Sequence, residues 1–283
     1  MALTEDPTPG APPVLAHSRI TETPSPSKWL YVVHGIFGAG RNWASVARRV
    51  VRTRPDWGAL LIDLREHGGS QDFPGPHTLE AAADDLAALA AATGIQPSAI
   101  LGHSFGGKVS MMYARRHAKA ATSKLEQVWI IDSTPAAGTP GGSAHAMLDI
   151  VKALPSEFAS RDDAIAALQA SGVQTDTASW MATNLAESGG VYRWRFRLAS
   201  LTELLDDFFH HDLWDVVETP PAGVEIHLVK ATESSLLSGT SQDRAQAAAD
   251  NVHTFLHEVE GGHWLNADNP DALVELLTTN LPE

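Results

Sequence analysis

Six short apolar runs punctuate the chain, at residues 29–33, 59–62, 99–101, 128–131, 224–229 and 252–256. Each is too short for a stable helix, and most are apolar throughout, the pattern of strands buried on both faces. Helical patterns lie between them, at 43–52, 79–92, 107–117, 242–250 and 272–281. Strands alternating with helices predict an α/β fold: a mostly parallel sheet, right-handed crossovers and helices on both faces.

One stretch breaks the alternation. Residues 138–217 carry helical signals and no convincing strand, and they sit between two of the apolar runs. That position predicts a helical cap inserted into the core, introduced by Thr139-Pro140-Gly141-Gly142-Ser143. The expected division is a tail and first strand at 1–28, a core at 29–137 and 218–283, and a cap at 138–217. Trp180, Trp194, Trp214, Phe196, Phe208 and Phe209 of the cap either form its own core or line a pocket beneath it. Core is the expectation for most of them.

Gly102-His103-Ser104-Phe105-Gly106 joins the third run to the helical pattern that follows. A serine hydroxyl is a poor nucleophile unless it is held on a strained turn, beside a base and facing an anion-stabilising pocket. The G-x-S-x-G pattern builds such a turn, because the glycines let strand and helix pack closely while the serine projects from their junction. The pentapeptide alone is common; a strand before it and a helix after it make Ser104 the candidate nucleophile.

The first run ends in His34-Gly35-Ile36-Phe37-Gly38. Acyl transfer needs two N–H donors for the oxyanion, one from the residue after the nucleophile and one from a loop like this. The backbone N–H groups of Phe105 and Ile36 are the expected donors, with Phe37 as the alternative to Ile36. Residues 35–40 do not match G-x-G-x-x-G and no Walker pattern is present, so no nucleotide cofactor is expected. In Asp63-Leu64-Arg65-Glu66-His67-Gly68-Gly69-Ser70, the expected role of Asp63 and Arg65 is to fix the loop beside the oxyanion donors.

The base should follow the last strand. Glu260-Gly261-Gly262-His263-Trp264 does so, and its glycines allow an exposed loop, which selects His263 from thirteen histidines. His210-His211-Asp212 is read as structural or surface, since adjacent helical residues point apart and a fourth ligand is lacking; no metal is expected. Two carboxylates compete to orient His263. Asp132 ends a continuous apolar strand, where a carboxylate needs a reason to be. Glu233 follows the run at 224–229 but lies in a polar loop. Local chemistry favours Asp132.

Composition excludes several classes. Twenty basic against thirty-four acidic side chains give a formal charge of −14, which repels phosphate backbones and anionic membranes, so no nucleic-acid partner is expected. With no cysteine, disulfides, thiolate metal sites and a cysteine nucleophile are all excluded. Residues 1–13 lack the basic and apolar regions of a secretory signal, and no apolar run spans a bilayer. A cytoplasmic protein without membrane insertion is the expectation.

Taken together, these motifs resemble the α/β-hydrolase superfamily, and within it the bacterial YbfF-like esterases and the related abhydrolase-domain-containing protein 11 group. The resemblance runs from about residue 29 to 280. It is carried by His34 to Gly38 with Asn42-Trp43, by Asp63 to Ser70, by Gly102 to Lys108, by Ile131-Asp132-Ser133-Thr134-Pro135, by Tyr192-Arg193-Trp194-Arg195-Phe196 and by Gly262-His263-Trp264. It implies an α/β-hydrolase fold with a helical cap. In that family the acid stands on the strand after the nucleophile and a serine fills the other acid position. Ser234 matches that serine, which supports Asp132. The chain departs from the family at Ser133-Thr134 and at Ala231-Thr232-Glu233. The implied activity is hydrolysis of small to medium acyl esters by Ser104, His263 and Asp132, with a small-molecule ester as partner. The same residues would serve a thioesterase, a lyase or a cofactor-free haloperoxidase. A ligand receptor is the non-enzymatic alternative, against which an intact Ser104 and His263 argue.

Overall fold

The computed structural model describes residues 13–283. The expected tail, apart from Pro13, lies outside the described residues. Among the described residues nine strands form: β1 His17–Ile20, β2 Lys28–Val33, β3 Trp57–Ile62, β4 Ala99–His103, β5 Gln127–Ile131, β6 Leu185–Ser188, β7 Val191–Trp194, β8 Glu225–Ala231 and β9 Thr254–Val259. Seven of them make one sheet in the order β1-β3-β2-β4-β5-β8-β9. Only β1 runs antiparallel, against β3, and the other pairings are parallel. All six apolar runs became strands of this sheet. The last run starts late because Val252 is exposed and pairing begins at Thr254.

Alternation along the strands divides the interior. Tyr31, Val33, Leu60, Ile62, Ile100, Val128, Ile130 and Leu228 face one core, which includes side chains of α2 (Leu79–Thr93) and α3 (Phe105–His117). Leu30, Val32, Ala59, Leu61, Leu101, Trp129, Ile131 and Val229 face the other, against α1 (Ala44–Thr53) and α11 (Pro270–Asn280). Successive strand residues point to opposite faces, so helices cover both sides, as a parallel sheet requires. Helix α9 (Thr240–Ala248) and the short α10 (Leu265–Asp268) flank β9.

Between β5 and β8 come α4 (Gly142–Ala153), α5 (Arg161–Ala170), α6 (Thr175–Ala182), α7 (Leu198–His210) and α8 (Trp214–Glu218). The stretch is not wholly helical. β6 and β7 form an antiparallel hairpin in which Ser188 pairs with Val191 across Gly189 and Gly190, at φ 64° and 81°. Two consecutive positive-φ residues match a two-residue hairpin turn. The strands escape sequence detection because each has four residues, and only Leu185 among those eight is buried. The Thr139–Ser143 tract is also shorter as a linker than expected, since α4 already begins at Gly142. Leu148, Val151, Leu168, Met181, Leu201, Leu204 and Phe208 continue the α2–α3 core outward. A small second cluster holds Phe158, Ala164, Ala182 and Leu185. No helix among the described residues is long and apolar enough to cross a membrane.

Candidate active site

Ser104 stands alone between β4 and α3, at φ 52° and ψ −116°. This left-handed conformation is strained for a residue with a Cβ. The glycines around it are required by contact distance. A Cβ on Gly102 would lie 2.1 Å from the Gly106 carbonyl oxygen, and one on Gly106 would lie 2.5 Å from that of His34. The Ser104 amide donates to the Ile131 carbonyl at 2.9 Å, which ties the turn to β5.

That tie places Ser104 beside the end of β5, where Asp132 follows. Asp132 is fully buried with φ at 40°, and its amide donates to the Val229 carbonyl at 2.8 Å. Its Oδ1 accepts the Ala231 N–H at 3.3 Å. Its Oδ2 lies 2.6 Å from His263 Nδ1, in the loop after β9. With the Nδ1 hydrogen committed to the carboxylate, Nε2 is the basic nitrogen of the ring. The His263 carbonyl accepts at 2.7 Å from His103 Nε2. Burial drives the His103 pKa down to about 3, which keeps that ring a neutral donor. The Glu233 carboxylate makes no contact with His263: it is exposed and forms no side-chain hydrogen bond or ion pair among the described residues.

The loop after β2 is held by two further neutral histidines. His34 Nε2 accepts the Leu64 amide at 3.0 Å, so its Nδ1 carries the hydrogen and donates to the Gly35 carbonyl at 2.7 Å. His67 Nε2 accepts the Phe37 amide at 3.2 Å, while its Nδ1 donates to the Arg65 carbonyl at 2.9 Å. Burial lowers their pKa values to about 4 and about 3. Phe37 N–H is therefore occupied, whereas Ile36 N–H has no acceptor among the described residues. Phe105 is the first residue of α3, so its amide has no partner within the helix. The Asn184 side chain donates to the Phe37 carbonyl at 2.8 Å from across the chain. Asp63 Oδ1 accepts the Gly40 amide at 2.7 Å, and Arg65 pairs with Asp85 at 2.6 Å; neither reaches the cavity.

The candidate nucleophile, base and free amides share one cavity of about 640 Å³. Ser104, His263, Ile36, Phe105, Glu233 and Ser234 line it, together with Met147, Trp180, Leu205, Phe208, Phe209, Leu236 and Trp264. Three of the six aromatics singled out in residues 138–217 thus reach the cavity. Trp194, Phe196 and Trp214 do not, and Trp214 is buried. His211 turns away from the cavity, toward Glu80 and Asp207, at 3.3 and 3.2 Å. This is the one group of three ligand-type side chains close enough to share a cation among the described residues. Asp207 Oδ2 in that group already accepts the Leu79 amide.

The roles of His67, His103 and Asn184 were not assigned from the sequence. The first two stood inside recognised motifs, but thirty residues separate His67 from its partner Phe37. Asn184 carries no signal in the sequence.

The family described as Alpha/beta hydrolase family matches residues 30–276. The chain is 28% identical over 255 residues to sn-1-specific diacylglycerol lipase ABHD11 of Mus musculus, covering 88% of this chain and 79% of that protein. It is 27% identical over 266 residues to Esterase YbfF of Escherichia coli (strain K12), covering 88% and 91%. A marine microorganism esterase of known structure shares the fold, with a TM-score of 0.77 at 22% identity over 94% of this chain and 98% of that one. The match extends from β2 to α11 and takes in every element that lines the cavity, and the chain belongs to the alpha/beta hydrolase family.

Proposed function

We propose that this protein is a serine carboxylesterase acting on small to medium acyl esters through an acyl-enzyme. The observation that carries the reading is the 2.6 Å contact between buried Asp132 and His263 beside a serine on a strained turn. Ser104 Oγ attacks the ester carbonyl carbon and passes its proton to His263 Nε2. Asp132 holds the ring in the required tautomer and stabilises the imidazolium. The amides of Ile36 and Phe105 receive the negative charge on the former carbonyl oxygen. Collapse breaks the bond to the alcohol, which leaves with the Nε2 proton. Water then attacks the acyl-enzyme, giving its proton to Nε2, and Ser104 recovers that proton as the acid departs.

Residues 138–217 serve as a cap over the cavity, supplying Met147, Trp180, Leu205, Phe208 and Phe209 to its apolar wall. Such a wall suits an alkyl or acyl chain, with polar groups confined to the reacting end. Esterase, lipase and diacylglycerol lipase names among the relatives agree with ester chemistry. The test is Ser104→Ala assayed with p-nitrophenyl butyrate. Loss of about 10³-fold or more in kcat, with loss of fluorophosphonate labelling, is expected. Full activity in this variant would overturn the assignment.

A further inference from the structure

Glu233 was a candidate for orienting His263, yet Asp132 occupies that position and the mechanism leaves Glu233 unused. Among the described residues lining the cavity, Glu233 bears the one carboxylate, and no lysine or arginine joins it. The one lysine of β8 is engaged elsewhere: Lys230 pairs with Glu258 of β9 at 3.0 Å. The Glu233 carboxylate itself has no partner among the described residues. Its backbone is fixed, however. Glu233 N–H donates to the Gly261 carbonyl at 3.0 Å, and Gly261 N–H donates to Thr232 Oγ1 at 3.3 Å. The carboxylate is thereby held on a loop bonded to the one that carries His263 and the half-exposed Trp264. Trp264 packs against Trp180 with ring centroids 5.5 Å apart.

We propose that Glu233 forms a charge-selecting subsite at the cavity mouth, favouring esters that bear a cationic group and rejecting those that bear a carboxylate. This rests on the cavity being the active site. An unpaired carboxylate lining one cavity with two indoles, Trp264 exposed and Trp180 partly so, is the chemistry that receives an ammonium group, which gains from both the charge and the aromatic quadrupoles. Unit charges about 6 Å apart at an effective dielectric of about 40–80 change affinity about three- to tenfold. The overall charge of −14 favours cations too, but Glu233→Gln alters it by only one unit and leaves that general field nearly intact.

The test compares kcat/KM for matched esters: butyrylcholine, its uncharged isostere 3,3-dimethylbutyl butyrate, and a carboxylate-bearing ester of equal length. A second series carries the same three groups on the acyl end. In at least one series the wild-type order should be cationic, neutral, anionic. Glu233→Gln should lower the cationic-to-neutral ratio about three- to tenfold, Glu233→Lys should invert the order, and 0.5 M salt should compress it. Ratios unchanged by both substitutions in both series would overturn the subsite. So would a fall of equal size on every ester, which would instead make Glu233 a support for His263. Ser104→Ala is run alongside. Its full activity would sink the parent reading, whereas an inactive Ser104→Ala with flat charge ratios would sink the subsite alone.

Discussion

His67 Nε2 accepts the amide hydrogen of Phe37 at 3.2 Å, and this bond decides which amide of the β2 loop stays free. Phe37 has φ at 62°, a left-handed conformation that costs a residue with a Cβ about 1–2 kcal/mol. His67 grips its N–H and Asn184 its carbonyl, so the strain is held from both sides. The neighbouring Ile36 amide is left without an acceptor among the described residues.

Replacing His67 should therefore act on the transition state more than on substrate binding. His67→Phe is expected to lower kcat about ten- to a hundredfold, less than outright loss of an oxyanion donor at about 10²–10³. KM should move by no more than about twofold. His67→Gln, whose side-chain oxygen can accept a hydrogen bond, should recover part of the rate. Steady-state kinetics on one p-nitrophenyl ester settles it; a defect confined to KM would contradict the role.

Acid should destabilise this protein early. Burial lowers the pKa of His34, His67 and His103 to about 4, about 3 and about 3, against 6.5 when exposed. Between these values and 6.5 the unfolded chain binds more protons than the folded one, so stability falls as pH falls through that window. The slope is about 1.4 kcal/mol per pH unit for each proton taken up on unfolding. Urea midpoints from pH 7.5 to pH 4.5 should decline steadily, and His67→Phe should flatten the decline.

Asp132→Asn tests the orienting carboxylate. An amide at this position can present its NH₂ to Nδ1 and favour the wrong tautomer of His263. The expected loss is about 10³–10⁴ in kcat, with slow but complete labelling of Ser104 by a fluorophosphonate. Near-normal turnover would remove Asp132 from the mechanism.

Much of this was readable from residues alone, for a physical reason. The central strands are buried on both faces, so β2, β3, β4 and β5 carry unbroken apolar runs, whereas β8 interrupts its apolar residues with Glu225 and His227. The β6–β7 hairpin rests on main-chain pairing, with Leu185 as its one buried side chain, and leaves only Gly189-Gly190 as a trace. At the site, Ser104 and His263 sit in loops whose glycines advertise unusual backbone. The choice between Asp132 and Glu233 hung on which loop turns inward, and that depends on strand register: the Asp132 amide bonds to Val229 one strand away. No local spacing encodes that relationship, nor the thirty residues between Phe37 and His67.

Lys108 provides the remaining prediction. It is fully buried on α3, four residues beyond Ser104, with its ammonium 4.3 Å from the centre of the Phe208 ring. Nζ donates to the carbonyls of Ala136, Phe208 and His211 at 2.8, 2.6 and 2.9 Å. One charge thus fastens the chain just ahead of residues 138–217 and the C-terminal end of α7, where the helix dipole also favours a cation. Lys108→Met keeps the volume but strands three carbonyls. Each buried orphan costs about 1–3 kcal/mol, offset in part because the ammonium no longer has to be desolvated. A net loss of about 2–4 kcal/mol is expected, read as a lower urea midpoint. Proteolysis within residues 138–217 should also begin at urea concentrations below the global transition, because the broken bonds join that segment to the core. An unchanged midpoint with unchanged proteolysis would show that the ammonium does not hold the segment down.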